Sequence, residues 1–407
     1  MADVIIIGGG ASGMAAAVRA ARAGKYRVTL LERQARVGRK LLATGNGRCN
    51  LTNTAAAPEH YFGAGGTQAD FAAGVLCRFT PEAVMDWFTD NSLKTDVEYG
   101  GRVYPYSGSA ASVLDVLRLN MEKFGVNVVT GAAVESVHRE KGAFSISWNG
   151  GSARADKVIV ACGGCAGGKL GGVKDGYRLL ESLGHSVTPL RPALCPIRTE
   201  AEYPRALKGI RVSAGARLLA DGKIAATARG DVLFTETGLS GSAIFDLSLY
   251  SALHAKAKEQ QVALSFFPDD EPEQVSALLR ARIRAWPELE ANRIFTGLLQ
   301  SRLGMMLCKR AGIGGGRTAK TLTDGELAAL SREATDFRLP VTGSGGLDNA
   351  QVTVGGARVE EFDPETLESR LVPGLYACGE VLDVAAPCGG YNLHWAWASG
   401  LAAGELR

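Results

Sequence analysis

The sequence lacks several features that would assign it to large classes of proteins. No apolar run approaches the roughly 20 residues that a membrane-spanning helix needs, so we expect no membrane span. No dense block of Lys and Arg is present and the formal net charge is only +3, which argues against a nucleic-acid partner. The five histidines, His60, His138, His185, His254 and His394, show no ligand spacing, so we expect no metal. The chain begins without the basic segment of a signal peptide, which favours a cytoplasmic protein.

Cysteine and glycine usage narrows the class further. The eight cysteines are not arranged as the framework of a small secreted protein and fit a reducing compartment. One pair, Cys162 and Cys165, forms a C-x-x-C, so dithiol redox chemistry is kept as an alternative. Glycine is abundant at 52 residues and is clustered, which marks places where the backbone turns sharply or approaches a ligand.

The first fifty residues carry the pattern of a dinucleotide-binding unit. A β-branched run, 3–7, leads into Gly8-Gly9-Gly10-Ala11-Ser12-Gly13, and an Ala-rich helix follows to about residue 23. Gly8 allows the tight turn, Gly10 lets the backbone approach a pyrophosphate, and Gly13 allows helix and strand to pack closely. The helix N-terminus offers N–H groups and partial positive charge to that pyrophosphate. Glu32 ends the next strand, where a carboxylate can bind a ribose.

The following segment favours FAD over NAD. Residues 37–50 read Val-Gly-Arg-Lys-Leu-Leu-Ala-Thr-Gly-Asn-Gly-Arg-Cys-Asn, a loop too polar to pack as core and rich in hydrogen-bond donors. Such a loop suits an extended ligand that carries phosphates. No second G-x-G-x-x-G is present to form a separate nicotinamide domain, so NAD(P)H is expected only as a transient co-substrate over the flavin.

The far end of the chain is predicted to return to the same ligand. A short buried strand, 375–378, ends in Gly379-Glu380, and Asp383 follows. The segment Gly389-Gly390-Tyr391-Asn392 then begins a helix that runs to about residue 405. We expect this second helix N-terminus to face the flavin edge that becomes negative on reduction. Between the two ends, strands at 134–139 and 144–148 with a turn at Asn149-Gly150 predict a small antiparallel meander.

These motifs together resemble a bacterial flavoprotein family that includes aminoacetone oxidase and the BaiN-type reductases of 3-oxo-Δ4 steroids and bile acids. The resemblance rests on 8–13, on 38–53, on Gly163-Gly164 with 175–177, on 237–241 and on 379–392. It implies an α/β fold with a glutathione-reductase-type, Rossmann-like FAD-binding domain at residues 1–190 and 346–407. It further implies a β-barrel-like insert at 191–248 and 337–345 and a helical insert at 249–336. Local patterns agree, since Asp221-Gly222 marks a hairpin, 272–285 and 289–311 read as helices, and Thr323 begins another.

The residue-by-residue expectations follow from the motifs and the resemblance. The residues expected to bind FAD are Gly8, Gly10, Ala11, Ser12, Gly13, Glu32, Arg33, Arg39, Lys40, Asn46, Gly47, Arg48, Cys49, Asn50, Val134, Ala161, Gly163, Gly379, Glu380, Asp383, Gly390, Tyr391, Asn392 and Leu393. The catalytic candidates are Tyr391 as a proton donor and Lys40 and Arg48 as stabilisers of an oxyanion.

The sequence therefore predicts an FAD-dependent oxidoreductase, with an NAD(P)H-driven reductase of an activated C=C in a small, steroid-like molecule as the leading function. An FAD-dependent amine oxidase that uses O2 is the enzymatic alternative. A non-enzymatic flavin-binding or RNA-associated protein is the alternative from another class, although the low net charge argues against RNA.

Overall fold

The computed structural model describes all residues from 1 to 407 as two compact units. Unit 1 comprises residues 1–193 and 347–407, and unit 2 comprises residues 194–346. Each unit has its own hydrophobic core. No helix is both long enough and apolar enough to cross a bilayer.

The elements follow one another along the chain with these bounds. The strands are β1 Ala2–Ile7, β2 Tyr26–Glu32, β3 Thr52–Asn53, β4 Thr95–Val97, β5 Arg102–Pro105, β6 Asn127–Thr130, β7 Val134–Glu140, β8 Ala143–Trp148, β9 Gly151–Ala155, β10 Lys157–Val160, β11 Arg191–Ala193, β12 Ile197–Thr199, β13 Arg211–Ala220, β14 Lys223–Phe234, β15 Gly238–Ser240, β16 Gln260–Ser265, β17 Phe337–Ser344, β18 Val352–Val354 and β19 Leu375–Ala377. The helices are α1 Ala11–Arg22, α2 Arg39–Ala43, α3 Gln68–Leu76, α4 Pro81–Asp90, α5 Ala110–Lys123, α6 Asp175–Ser182, α7 Glu202–Ala206, α8 Ser242–Leu253, α9 Pro272–Ala285, α10 Ser301–Arg310, α11 Asp324–Thr335 and α12 Tyr391–Ala403.

Unit 1 is built on a five-stranded parallel sheet in the order β19-β10-β1-β2-β6. Its central strand β1 is buried from Val4 to Ile7, as a β-branched run between two parallel neighbours requires. After β1 the chain moves to β2 on one side and later returns to β10 on the other. The carboxyl ends of β1 and β10 therefore flank a topological switch point, the position where open α/β sheets bind their ligands.

The two helices that follow glycine turns at the chain ends pack against each other. A Cβ on Gly400 of α12 would lie 2.4 Å from the Ser12 carbonyl oxygen, and one on Gly404 would lie 2.7 Å from that of Ala16. Only glycine leaves room for backbones this close. Helix α1 matches this crossing with small residues, since 14–18 read Met-Ala-Ala-Ala-Val and are fully buried.

The predicted meander is present in unit 1. Strands β7, β8 and β9 form an antiparallel three-stranded sheet, and Gly150 has a φ of +92° in the turn between the last two. A second antiparallel sheet, in the order β3-β5-β4, is not anticipated by the sequence reading. Its strands are only two to four residues long, too short for a periodic pattern to reveal.

Unit 2 confirms the inserted barrel. Six strands close it in the order β12-β15-β14-β13-β16-β17. The Asp221-Gly222 hairpin joins β13 to β14 with φ values of +49° and +76°, the combination that a two-residue primed turn requires. Strand β16 comes from the stretch where the sequence predicts helix, because a six-residue run with three buried apolar positions does not distinguish the two.

The helices of unit 2 follow the sequence signals where a cap is present. Helix α9 has the predicted bounds, and α11 begins with the capping box of Thr323 and Glu326. The helix expected over 289–311 is shorter, because Gly297 adopts a φ of +82° and only α10 remains regular. Barrel and helices share one core, so their separation into two domains stays a prediction.

Candidate functional site

The first glycine turn lies at the switch point of the sheet. Gly8 has a φ of +112°, and a Cβ there would lie 2.4 Å from the Ala161 carbonyl oxygen at the end of β10. A Cβ on Gly13 would lie 1.9 Å from the Gly8 carbonyl oxygen. Both glycines are therefore required by the protein itself, which explains the tight turn and the close start of α1.

Gly10 differs from its neighbours because nothing in the protein fills the space beside it. A Cβ on Gly10 would meet no heavy atom within 4 Å, and the same holds for Gly47 and Gly163. Gly10 also precedes the uncapped N-terminus of α1. An open glycine beside free helix N–H groups is the geometry that admits a pyrophosphate.

The Glu32 carboxylate is held in place by backbone donors. Its two oxygens accept hydrogen bonds from Gly9 N and Gln34 N, both at 2.7 Å. Each oxygen keeps a second lone pair for a ribose hydroxyl. The turn before β7 is anchored at the same place, since Ala132 N donates to the Glu32 carbonyl oxygen at 2.9 Å. Val134, the first residue of β7, thus lies two residues from this anchor.

The cations after β2 are engaged with partners in unit 1. Arg33 pairs with Asp175 at 2.8 Å, and Arg39 donates to the Gln34 side chain at 2.9 Å. Lys40 Nζ lies 2.8 Å from Glu380 Oε2. This last pair joins two predicted site residues that are 340 positions apart in the chain. The ammonium keeps further donors for a ligand.

The backbone of the loop at 44–50 is left-handed at two non-glycine residues. Asn46 and Cys49 adopt left-handed conformations with φ of +56° and +61°, and Cys49 is buried. Arg48 forms an ion pair with Glu98 and stacks 4.1 Å from the Tyr104 ring centroid. The loop also holds an unpaired acceptor, because Asn50 Oδ1 is buried without a hydrogen-bond partner. A buried oxygen of this kind costs about 1–3 kcal/mol unless a ligand supplies a donor.

The second glycine turn meets this loop. Gly389 and Gly390 have φ values of +130° and +105°, and a Cβ on Gly390 would lie 2.4 Å from the Thr52 carbonyl oxygen and 3.0 Å from Asn50 Oδ1. Asn53 Nδ2 donates to the Gly389 carbonyl oxygen at 3.0 Å. The start of α12 has no side-chain cap, so its partial positive charge faces the turn unshielded.

Three side chains at the start of α12 have defined contacts. Asn392 forms a reciprocal pair with Ala386, accepting from its N–H at 2.9 Å and donating to its carbonyl at 2.7 Å. The Tyr391 ring stacks on His60 with centroids 4.8 Å apart. Leu393 packs on the core of unit 1.

Gly379 connects the two chain ends. A Cβ there would lie 2.4 Å from Ser12 Oγ, and its N–H donates to Ser399 Oγ at 2.9 Å. Nearby Glu380 accepts from Thr353 N at 2.8 Å while it holds Lys40. The structure therefore gathers the first glycine turn, the cationic loop and both C-terminal motifs in unit 1.

Asp383 has a different setting from the other predicted ligands. It is buried, and its carboxylate accepts from Ala64 N, Thr188 Oγ1 and Gly355 N at 3.0–3.1 Å. Gln68 adds a fourth bond at 3.3 Å. Burial raises the pKa of this carboxyl despite these donors. The hydrogen bonds of Asp383 thus join three separate segments of unit 1. A direct role of Asp383 in FAD binding stays a prediction.

Some contacts near the site were not predicted from the sequence. Thr52 Oγ1 bonds His394 Nδ1 at 2.9 Å inside the core, and burial lowers the pKa of His394 to about 4. Glu98, the partner of Arg48, lies in the hairpin between β4 and β5. No local signal marks these contacts, since the partners are 50 or more residues apart.

The C-x-x-C pair does not form a disulfide. Cys162 Sγ donates to the Ile7 carbonyl oxygen at 3.5 Å, and Cys165 Sγ accepts from Thr353 Oγ1 at 3.8 Å. Burial raises the pKa of the Cys162 thiol to about 12, so the thiolate that disulfide exchange needs is scarce at neutral pH. The arrangement favours a structural role for this pair.

The residues present fit FAD. The open Gly10 at the start of α1, the hydrogen-bonded Glu32 and the unpaired Asn50 oxygen match a pyrophosphate, a ribose and a flavin donor group in turn. The uncapped start of α12 suits the flavin edge that gains negative charge. No cluster of three or more His, Cys, Asp or Glu side chains is placed to hold a metal ion.

Comparison with known proteins extends the match to the whole chain. A family model described as the HI0933-like protein Rossmann domain matches residues 2–406. A 3-dehydro-bile acid delta(4,6)-reductase of Clostridium scindens is 38% identical over 402 residues, covering 98% of this chain and 97% of the relative. A ribosomal RNA dihydrouridine synthase of Escherichia coli is 31% identical over 405 residues, covering 99% and 97%.

A solved structure supports the fold. The 3-ketosteroid delta1-dehydrogenase of Sterolibacterium denitrificans superposes with a TM-score of 0.50 at 14% identity, covering 99% of this chain and 98% of the other. At this identity the similarity concerns the architecture alone.

Proposed function

The chain belongs to the HI0933-like Rossmann family and is an FAD-dependent oxidoreductase, and from that premise we propose that it is an NAD(P)H-driven reductase of a C=C conjugated to a carbonyl in a steroid-like molecule. The observation that carries the proposal is the full-length similarity to a protein named as a bile acid delta(4,6)-reductase. Because the chain is an FAD-dependent oxidoreductase, the non-enzymatic alternative is set aside. The reductase and the amine oxidase remain.

The proposed reaction assigns a role to the cofactor, to the start of α12 and to Tyr391. FAD, once bound and reduced by NAD(P)H, would supply the hydride that the conjugated carbon accepts. We assign the partial positive charge at the uncapped start of α12, beside Gly390, to the flavin edge where negative charge develops. Reduction of a C=C also needs a proton, and the Tyr391 hydroxyl is our candidate donor because its ring is fixed against His60 at the first position of α12.

Lys40 and Arg48 are the candidates for stabilising an enolate oxygen. Lys40 is held by Glu380 at 2.8 Å, so its ammonium is positioned rather than mobile. Arg48 is restrained on both sides, by Glu98 and by the face of Tyr104. Restraint of this kind orients a cation before the substrate arrives, which is what catalysis by fixed charges requires.

A uridine in RNA is the second candidate substrate. The positive net charge of one segment of the chain favours it. Residues 272–320 hold nine Lys and Arg against three Glu, a net charge of +6 within a chain of net charge +3. Trp286 in this segment is half-exposed and stacks with Arg282, whose guanidinium lies 4.9 Å from the ring centroid. Cations beside an exposed aromatic ring suit RNA. Two relatives are named ribosomal RNA dihydrouridine synthases, and dihydrouridine is the product of saturating a conjugated C=C.

Anaerobic mixing of the FAD-loaded protein with candidate electron donors and acceptors distinguishes the proposed functions. We expect NADPH or NADH to bleach the flavin, and 3-oxochol-4-enoic acid to restore its colour with formation of the saturated product. Recovery of colour by a uridine-containing rRNA fragment, but not by the steroid, would select the second candidate. Bleaching by aminoacetone and recovery only in air would establish the amine oxidase. No bleaching by either nicotinamide would refute the reductase.

A further inference from the structure

A fully exposed aromatic ring lies at the tip of the hairpin between β4 and β5. Tyr99 has 100% of its surface accessible and Val97 before it is also exposed, whereas Val103 and Tyr104 on β5 are buried. An isolated exposed aromatic on a flexible loop would need no explanation. This one lies on a segment that the protein holds firmly.

The tip of the hairpin is hydrogen-bonded to Thr54, the residue that follows β3. Gly101 N donates to the Glu98 carbonyl at 3.2 Å, and Thr54 N donates to the Gly101 carbonyl at 2.8 Å. A Cβ on Gly101 would lie 2.4 Å from Thr54 Oγ1, so the backbone is closely packed here. The Glu98 side chain is tied down in turn by Arg48. The hairpin therefore presents the Tyr99 ring from a rigid support.

One side chain connects this support to the candidate flavin edge. Asn53 Nδ2 donates both to the Gly100 carbonyl at 3.2 Å and to the Gly389 carbonyl at 3.0 Å. The residue next to Tyr99 and the turn that begins α12 thus share a single amide. An exposed aromatic ring carried by this fastened backbone suits contact with the conjugated part of a substrate.

We propose that Tyr99 is a substrate-contacting residue that stacks on the conjugated ring system being reduced and so sets substrate preference. The inference rests on the proposed reductase function. Two aromatic rings in contact gain about 0.5–1.5 kcal/mol beyond simple burial, and we take that range for the enone ring, which corresponds to about twofold to tenfold in affinity. Truncation of Tyr99 weakens substrate binding by that factor and leaves FAD binding unchanged.

The test measures binding without turnover. 3-Oxochol-4-enoic acid is titrated into the oxidised, FAD-loaded protein, and the change in flavin absorbance gives the dissociation constant. We expect Tyr99→Ala to raise this constant about twofold to tenfold and Tyr99→Phe to restore the wild-type value. Tyr106→Ala is the matched control, because Tyr106 follows β5, is 66% exposed and stacks only with Lys94. In turnover, Tyr99→Ala should raise KM and leave kcat within about twofold.

The outcomes separate the two proposals. If wild-type protein binds the steroid and Tyr99→Ala binds it equally well, the role of Tyr99 is refuted while the reductase function stands. If wild-type protein shows no response to the steroid or to a uridine-containing rRNA fragment, the proposed function and the role of Tyr99 both fall. A wild-type response to the RNA fragment alone, weakened by Tyr99→Ala, supports the stacking role with a nucleobase as the conjugated ring.

Discussion

Gly10→Ala should separate FAD binding from folding. In the structure a Cβ at this position meets no heavy atom within 4 Å, and the backbone φ of −82° is open to any L-residue. The methyl group therefore occupies only the space beside the start of α1 that we assign to the pyrophosphate. The apoprotein should fold normally, yet the ligand should be displaced from the helix N–H groups.

The expected magnitudes follow from these contacts. Replacing glycine by alanine reduces the freedom of the unfolded chain by about 0.4–1 kcal/mol, and alanine is a poorer N-cap by a similar amount, so apoprotein stability should change little. A hydrogen bond to a charged group contributes about 1.5–3 kcal/mol, so losing one phosphate contact should weaken FAD binding about tenfold or more. Gly13→Ala provides the contrast, since its Cβ would lie 1.9 Å from a carbonyl oxygen and should destabilise the apoprotein by about 1–3 kcal/mol or more.

The assay compares deflavinated wild type, Gly10→Ala and Gly13→Ala. Denaturant unfolding of each apoprotein gives stability, and quenching of FAD fluorescence on titration gives affinity. If Gly10→Ala binds FAD as tightly as wild type, or if its apoprotein is destabilised as much as Gly13→Ala, our placement of the pyrophosphate is wrong.

Three further predictions concern the same unit. Asn50→Leu should raise apoprotein stability by about 1 kcal/mol, because it removes a buried unpaired oxygen, and should lower FAD affinity in the same fluorescence titration. A result with stability up and affinity unchanged would exclude a flavin contact. His394 has a folded-state pKa of about 4 against about 6.5 when unfolded, so the unfolded state alone takes up a proton as pH falls through that window. Between pH 7 and pH 4.5 this group should lower the free energy of unfolding by about 2 kcal/mol, and His394→Gln should remove that contribution in denaturant titrations at the two pH values. The exposed His138 serves as the control, since His138→Gln should leave the dependence intact. Lys40→Met breaks a partly exposed ion pair and should cost less than about 1 kcal/mol of stability. If Lys40 stabilises an enolate, the same variant should slow flavin reoxidation by the steroid about tenfold or more, and an unchanged rate would remove that role.

The core of the nucleotide-binding unit could be predicted from the sequence because its signals are local. The turn at Gly8 and the helix after Gly10 depend on backbone conformations that neighbouring residues specify, and Glu32 follows at the end of the next strand. The same holds for the Asp221-Gly222 hairpin and for the cap at Thr323, where one or two residues dictate the geometry. Helix α9 was predictable to its ends for this reason.

Other features were less accessible because they depend on distant partners. Strand β16 has a pattern that fits helix or strand equally, and only its pairing with β13 and β17 decides the matter. Gly297 ends the regularity of a predicted helix through a positive φ that no neighbouring residue announces. In the short sheet β3-β5-β4, strand β3 pairs with β5 across about fifty residues of chain.

The sequence by itself determined that two glycine turns begin helices at opposite ends of the chain, since glycine adopts positive φ at no steric cost and leaves the backbone open to a ligand. Only the tertiary structure decided which charges meet, because a side chain does not specify its partner until the backbone is folded. It placed Lys40 against Glu380 and Arg48 against Glu98, and it surrounded Asp383 with donors from three separate segments. It also left Tyr99 exposed on a hairpin that Asn53 joins to the turn before α12, although the sequence presents that tyrosine as one among ten.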